Sequence, residues 1–288
     1  MGRARADECF QRDPALVARW APRIGQLLRW FCPVIEGEEN LPARGPLLLV
    51  GNHSGGLYTP DAYALVHWWV THRGPEEPLY FLGHDLLFVI PRFGAFVRGA
   101  GGLPASMRNA RRALRRGASV LVYPGGDWEA FRPIWERGRV DFGGRTGVAR
   151  LALELGVPVV PVVCHGSHDT TCVLSRGEGL AARLSLGRVR SKVFPLVAGL
   201  PWGVVPGFIP TVPLPAQLRL RFLPPLRWEA FEARAARDED TVRRCYAELV
   251  ETMQAALDEL VRAHPWPLLD RWRGLARSRK IAATAAAT

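Results

Sequence analysis

The sequence contains almost no lysine, and its cysteines never stand close enough together to form a paired motif. Only Lys192 and Lys280 are lysines among the 38 residues that are lysine or arginine. The five cysteines are scattered and show no Cys-x-x-Cys spacing, which argues against a disulfide framework and favours reduced thiols, as in the cytosol. The cysteines are Cys9, Cys32, Cys164, Cys172 and Cys245.

No part of the sequence has the pattern of an export signal or of a membrane-spanning helix. The first residues, MGRARADECFQRDP, are too charged for the apolar core of a signal peptide. Residues 193–218 carry no charge and have the length of a membrane span, but their six prolines and three glycines would break a helix. We interpret this segment as an apolar loop that lines a groove for a hydrophobic ligand or lies at a membrane surface. A plain buried loop is the alternative.

The chain is strongly basic, with a net charge of +11 at pH 7 and an isoelectric point near 10.3. Such a charge favours a polyanionic partner, which is nucleic acid, an anionic membrane surface or a phosphorylated molecule. The sequence shows neither a helix-turn-helix pattern nor the aromatic residues of RNA-binding motifs, so we predict no nucleic-acid partner. We expect a cytoplasmic protein that associates peripherally with an anionic membrane. The oligomeric state is left open.

Residues 15–32 combine apolar side chains with Arg19, Arg23 and Arg29 at roughly helical spacing, interrupted by Pro22. Arginines beside tryptophans are typical of an interfacial helix, in which basic groups meet lipid headgroups and aromatic rings enter the acyl region. A helix that packs on the protein with its arginines in water has the same pattern. Both interpretations stay open.

The rest of the chain alternates short apolar runs with helices. The runs LLLV, LYFL, SVLVY and VPVVPVV predict strands that are buried on both faces. Helices are predicted to open at Pro60, at Pro104 or Ser106, and at Gly144, and a last one spans about Asp240 to Ala263. This order predicts an α/β fold with a layered, largely parallel sheet and flanking helices, plus an N-terminal amphipathic helix and a C-terminal helix. We divide the chain into an N-terminal interfacial region (1–33), a central domain (34–228) and a C-terminal helix and tail (229–288).

His53 is the first candidate for chemistry. It follows the strand predicted at 47–51, and open α/β sheets place their ligand sites at the carboxyl ends of strands. A turn that contains Gly55 and Gly56 would let the carboxylate of Asp61 return to the imidazole ring. Such a pair fixes the tautomer of the histidine and makes its free nitrogen a general base for a substrate hydroxyl. A structural histidine beside a helix-capping aspartate is the alternative.

Four motifs in order resemble one known family. NHSGG (52–56), GGLPAS (101–106), VYPGGDWEAFRP (122–133) and RTGVARLALELGVPVVPV (145–162) are similar to motifs of the glycerolipid acyltransferase superfamily, especially of its mono- and diacylglycerol acyltransferase branch. The resemblance covers about residues 34–228, the acyltransferase domain. It implies transfer of a fatty acyl group from acyl-CoA, or from acyl carrier protein, to a lipid hydroxyl. It further implies that His53 is the base and Asp61 its partner, with acyl-CoA as a substrate and no metal or other cofactor.

Further residues of these motifs are candidates for substrate binding. Glycines let backbone amides approach a ligand, a glutamate would hydrogen-bond the acceptor, and arginines would contact phosphates of CoA or of lipid headgroups. The substrate-binding candidates are Gly55, Gly56, Arg98, Gly125, Gly126, Glu129, Arg132 and Arg145. Cys164, His165, His168 and Cys172 match no familiar zinc spacing, so we predict no metal site.

The chain departs from the superfamily pattern at two places. Seven residues separate His53 from Asp61, whereas the common motif has four, so Asp85 is a second candidate for the partner. Trp128 stands where the superfamily has the arginine that holds the acceptor's phosphate. Because the planar fork of a guanidinium is missing there, we expect a neutral or bulky lipid alcohol as the acceptor.

Two other functions fit parts of the sequence. His53-Ser-Gly-Gly is similar to the oxyanion loop of serine esterases, but the chain has no Gly-x-Ser-x-Gly elbow to expose a nucleophile. A non-catalytic lipid-binding or membrane-tethering protein would keep the same overall shape with an idle site.

Overall fold

The structure, a computed structural model, describes residues 10–186, 193–228 and 233–273. Cys9, both lysines and the tail after residue 273 lie outside these ranges, as do parts of the predicted terminal regions 1–33 and 229–288.

The centre of the molecule is a seven-stranded sheet with the strand order β1-β10-β6-β2-β5-β3-β4. Neighbouring strands run parallel except β10, which is antiparallel to β6. The strands of this sheet are β1 (Val34–Glu36), β2 (Leu48–Gly51), β3 (Leu79–Gly83), β4 (Gly102–Pro104), β5 (Ser119–Val122), β6 (Val159–His165) and β10 (Arg219–Phe222). The predicted α/β fold with a largely parallel sheet is confirmed.

Helices cover both faces of the sheet and connect its strands. Proline stands in the first turn of α1, α2 and α3, where its missing N–H costs no hydrogen bond. Ser106 caps α4 through a bond to the amide of Asn109, and Gly156 ends α6 in the left-handed conformation. The helices are α1 (Pro14–Leu28), α2 (Pro60–His72), α3 (Pro91–Gly99), α4 (Met107–Arg115), α5 (Gly126–Ala130), α6 (Gly147–Leu155), α7 (Glu178–Arg183) and α8 (Glu239–Ala263).

Two apolar cores lie on the two faces of the sheet. Leu249 and Met253 of α8 are fully buried in the core that also contains α4 and α6. Leu28 of α1 and Trp69 of α2 belong to the other core. Strands β2, β5 and β6 are buried along their whole length because both of their faces are covered, as the continuous apolar runs predict. Both terminal helices therefore contribute side chains to the interior.

The segment predicted as an apolar loop, residues 193–218, forms a hairpin over part of its length. Strands β8 (Leu196–Gly199) and β9 (Gly203–Pro206) pair with each other, and β7 (Cys172–Ser175) joins β8 in a separate antiparallel sheet. The loop interpretation is therefore wrong for these residues, since the prolines lie between or at the ends of the strands, where no ladder bond is lost. Leu200 and Trp202 at the hairpin turn are 70% and 61% exposed, so the segment is not a buried loop either.

None of the helices within the described ranges has the length and apolarity to span a bilayer.

We expect Leu121→Ala to lower the free energy of unfolding by about 2–5 kcal/mol, because this side chain is fully buried in the central strand β5. Leu27→Ala is the matched control, since Leu27 is 69% exposed and its loss leaves no cavity. Urea unfolding followed by circular dichroism measures both. Equal midpoints for the two variants would contradict the described core.

Candidate active site

The candidate site begins where β2 ends. The side chain of Asn52 accepts a hydrogen bond from the amide of Cys164 at 2.7 Å and donates one to the carbonyl of Cys164 at 3.0 Å. These two bonds extend the pairing of β2 with β6 by one residue. The chain then turns back through Gly55 and Gly56, both with positive φ angles. A side chain at Gly55 would place its Cβ 2.5 Å from the ring of Pro60, so glycine is required there.

His53 and Asp61 meet directly. The Nδ1 atom of His53 lies 3.0 Å from Oδ2 of Asp61, whose side chain is almost completely buried, while the histidine ring stays 15% exposed. The seven intervening residues are accommodated because the turn and the first helical residue, Pro60, bring Asp61 back toward the strand end. The residue that contacts His53 is therefore Asp61, and Asp85 begins a separate turn after β3.

The carboxylate of Asp61 has further support. Its Oδ2 also accepts the amide of Ser54 at 3.0 Å, and it lies in the first turn of α2, where the helix dipole favours negative charge. A carboxylate held in this way orients the imidazole with its proton on Nδ1. The arrangement leaves Nε2 of His53 as a proton acceptor, which is what a general base needs.

Tyr123 packs against one face of the His53 imidazole. Its ring stacks on His53 with 4.2 Å between ring centroids and 24° between planes. Gly51 makes room for this stacking, because a Cβ there would lie 2.3 Å from the tyrosine ring. Burial, reinforced by the nearby Asp61, raises the pKa of Tyr123 well above its usual value. The phenol therefore stays neutral beside the histidine at ordinary pH.

A fully buried ion pair holds the backbone of His53. Oε2 of Glu129 accepts the amide of His53 at 2.9 Å, and Oε1 accepts the amide of Asp141 at 3.1 Å and a guanidinium N–H of Arg132 at 2.9 Å. Neither side chain of the pair is exposed. Burial raises the pKa of Glu129, and the charge of Arg132 opposes that rise.

This arrangement corrects two predictions of substrate contact. Glu129 was expected to bind the acceptor and Arg132 to bind phosphate, but both are enclosed in the protein and bonded to each other. Gly125 has a related role, because a Cβ there would lie 2.4 Å from a carboxylate oxygen of Glu129. Glycine at this position leaves room for the buried carboxylate of Glu129, which explains the small residue without a bound ligand. Gly126, with a positive φ angle, begins α5.

The two remaining arginine candidates, Arg145 and Arg98, lie on different segments of the fold. Arg145 donates to the carbonyls of Pro124 and Gly125, both at 2.7 Å, and its side chain is 40% exposed. It is therefore at the turn after β5, beside the site. Arg98 lies over the ring of Phe88 at 5.3 Å, in the segment after β3, which is two strands away from β2. The structure does not bring Arg98 to the histidine.

Trp128, which replaces the expected phosphate-binding arginine, is fixed by two polar contacts. Its indole N–H donates to Asp141 at 3.0 Å, and the guanidinium of Arg176 lies over its ring at 4.4 Å. Arg176 itself is bonded to Glu136 at 2.8 Å. The positive charges nearest this position are thus engaged by protein groups.

The two histidines between residues 164 and 172 contact backbone carbonyls of the protein. The ring of His165 contacts the carbonyl of His264, and the ring of His168 contacts that of Pro133. Burial lowers the pKa of His168 to about 3, so its ring is neutral. In the described part of the chain, no three histidine, cysteine, aspartate or glutamate side chains are grouped as a metal site would require.

Sequence reasoning missed three residues that shape the site: Asn52, Tyr123 and Asp141. Each acts across long sequence distances, so no local spacing indicates its role. The structure also shows an unusual backbone at Thr59, which precedes α2 with a φ angle of 40°. This left-handed conformation is rare for a β-branched residue and is typical of constrained functional loops.

The chain is similar to known proteins over different parts of its length. Residues 32–165 match the family model named Acyltransferase. An uncharacterised protein of Mycobacterium tuberculosis is 28% identical over 232 residues, which cover 81% of this chain but 62% of that relative. Phytyl ester synthase 2 of Arabidopsis thaliana is 33% identical over 140 residues, which cover 47% of this chain and 20% of the plant protein.

A solved structure shares the fold. The crystal structure of the 1-acyl-sn-glycerophosphate acyltransferase of Thermotoga maritima superposes with a TM-score of 0.51 and 19% identity, covering 85% of this chain and 79% of that one. At this identity, the match concerns the fold alone.

We expect Arg132→Met to lower the free energy of unfolding by about 3–5 kcal/mol, because it leaves the buried carboxylate of Glu129 without its charge partner. The loss of the guanidinium raises the pKa of Glu129 further. A carboxyl group whose pKa is higher in the folded than in the unfolded state costs more stability as pH rises above its unfolded value. The deficit relative to wild type, measured by urea unfolding at pH 5 and pH 8, should therefore be larger at pH 8. An equal deficit at both values would contradict the prediction.

Proposed function

We propose that the protein transfers a fatty acyl group from an acyl thioester to the hydroxyl of a lipid, and the match of residues 32–165 to the family model named Acyltransferase supports this proposal. The thioester is acyl-CoA, or the equivalent bond on acyl carrier protein, and the protein works at the surface of a membrane. The observation that carries this proposal is the contact of His53 with Asp61 at the carboxyl end of β2.

The proposed reaction needs no nucleophile from the protein. Nε2 of His53 takes the proton of the acceptor hydroxyl as its oxygen attacks the carbonyl carbon of the thioester. The tetrahedral intermediate then collapses, the carbon–sulfur bond breaks, and the imidazolium returns the proton to the leaving thiolate. Asp61 stabilises the imidazolium while it exists, since its carboxylate faces Nδ1 at 3.0 Å.

The backbone of the histidine loop limits where the oxyanion can be bound. The amide N–H groups of His53 and Ser54 already donate hydrogen bonds to the carboxylates of Glu129 and Asp61, respectively. The amide of Gly56 donates to the carbonyl of Ala130. These three N–H groups therefore do not provide the oxyanion site. Arg145 is a cation in the right region, because it is partly exposed at the turn after β5.

A neutral acceptor agrees with the surroundings of Trp128. Tryptophan takes the place of the arginine at that position, and the guanidinium of Arg176, which lies over the Trp128 ring, is bonded to Glu136. We propose that the acceptor is a glyceride or another long-chain alcohol rather than a lysophospholipid. The similarity to a protein named phytyl ester synthase supports an alcohol of this kind.

We expect His53→Gln to reduce acceptor-dependent thiol release from a long-chain acyl-CoA by between about a hundredfold and ten-thousandfold, the range of a lost general base. Asp61→Asn should also reduce release, because the amide no longer fixes the tautomer or stabilises the imidazolium. A thiol-reactive dye measures the rate with purified protein. Pro224→Ser is the control, since Pro224 is exposed in a loop at the opposite end of the sheet from His53.

Two outcomes would contradict this mechanism. Release that persists in His53→Gln without any acceptor would indicate a hydrolase that uses other residues. No release by wild type with any donor or acceptor would favour a lipid-binding protein with an idle site.

We expect monoacylglycerol or a long-chain alcohol to be acylated faster than lysophosphatidic acid when the acceptors are compared at equal concentration in the same mixed micelles. The physical reason is the missing bidentate phosphate contact at Trp128. Radiolabelled acyl-CoA and separation of the lipid products measure the preference. A faster reaction with lysophosphatidic acid would overturn the proposed acceptor class.

A further inference from the structure

The exposed apolar side chains in the loops of the main sheet are concentrated at one end of it. The loops at the carboxyl ends of β2 and β3 contain Leu57, Val89 and Ile90, which are 45%, 67% and 62% exposed. The loops at the opposite end, within the described residues, contain no large hydrophobic side chain that is exposed. These opposite loops are residues 37–47, 73–78, 100–101, 116–118, 156–158 and 223–226.

The carboxyl end of the sheet also gathers three chain segments that are distant in sequence. The indole N–H of Trp30, just after α1, donates to the carbonyl of Pro213 at 3.0 Å. Arg271 donates to the carbonyl of Trp30 at 2.8 Å, and the amide of Gln217 donates to the carbonyl of Pro267. The amide of Val212 donates to the carbonyl of Leu200, which ties the hairpin turn to the same place.

These segments present large apolar side chains to solvent. We call them the docking face: Trp30, Leu200, Trp202, Val212, Leu214 and Trp272. Trp202 and Trp272 are 61% and 63% exposed, which is costly for a tryptophan that meets only water. Apolar residues gathered in this way mark an interaction surface rather than chance exposure.

The charges indicate what kind of surface binds there. Residues 193–218, which supply most of the docking face, contain no charged side chain. The adjoining helix α1 has no acidic residue and exposes Arg19 and Arg23, and Arg29, which follows the helix, is exposed as well. Exposed tryptophans rimmed by arginines match the acyl boundary and the anionic headgroups of a bilayer.

We propose that the docking face lies against a lipid bilayer, with the carboxyl end of the sheet and the His53 loop directed toward the membrane. This inference rests on the proposed function, because it identifies the surface through which a lipid acceptor reaches the histidine. The hairpin turn and the segment around Trp272 enter the interface, and the arginines of α1 contact headgroups. A docked bilayer also explains why the apolar side chains are confined to this end.

The test is flotation of the purified protein with vesicles of phosphatidylcholine and phosphatidylglycerol in a density gradient. Trp202→Glu and Trp272→Glu each put a negative charge in the docking face and should reduce the partition coefficient onto the vesicles about tenfold, the effect of losing one buried aromatic side chain. Pro224→Glu is the matched control, because it adds the same charge at an exposed position at the opposite end of the sheet. Circular dichroism checks that all three variants are folded.

Each outcome has a defined meaning. Loss of flotation in both tryptophan variants, with wild-type flotation for Pro224→Glu, supports the docking face. Wild-type flotation of both tryptophan variants, or an equal loss with Pro224→Glu, overturns it. A wild-type protein that remains in the dense bottom fraction in the presence of vesicles also overturns it. Flotation requires no turnover. A wild type that floats but releases no thiol would therefore overturn the proposed function and leave the docking face standing.

Discussion

Two buried carboxylates hold the loop on which the candidate chemistry depends. Asp61 binds the ring of His53 and the amide of Ser54, and Glu129 binds the amide of His53 itself. Buried carboxylates are costly unless N–H groups and cations compensate them, and here backbone amides and Arg132 do so. The histidine is therefore fixed through its backbone and its side chain at once, while one ring nitrogen remains available.

The parallel sheet determines where this loop lies and what surrounds it. Because β2, β5 and β3 run in the same direction, the segments that follow them meet at one end of the molecule. That end holds the histidine, the turn with Arg145 and the exposed tryptophans of the hairpin and the C-terminal segment. The candidate site and the apolar surface thus share a location for a topological reason.

The departures from the superfamily motifs have physical counterparts in the structure. The longer spacing from His53 to Asp61 is absorbed by the glycine turn and by Thr59, and the pair still meets at 3.0 Å. Trp128 is packed under Arg176 and bonded to Asp141, so it is an integrated part of the site.

Local patterns in the sequence were enough to predict several elements. Apolar runs predicted β2, β3, β5 and β6, Ser106 and Gly156 marked the ends of helices, and the glycine turn after His53 predicted its approach to Asp61. The folded chain alone reveals that Glu129 and Arg132 are internal, that Tyr123 lies under the imidazole and that part of 193–218 folds as a hairpin. These features depend on contacts between residues far apart in the chain, whose burial and partners no local spacing encodes.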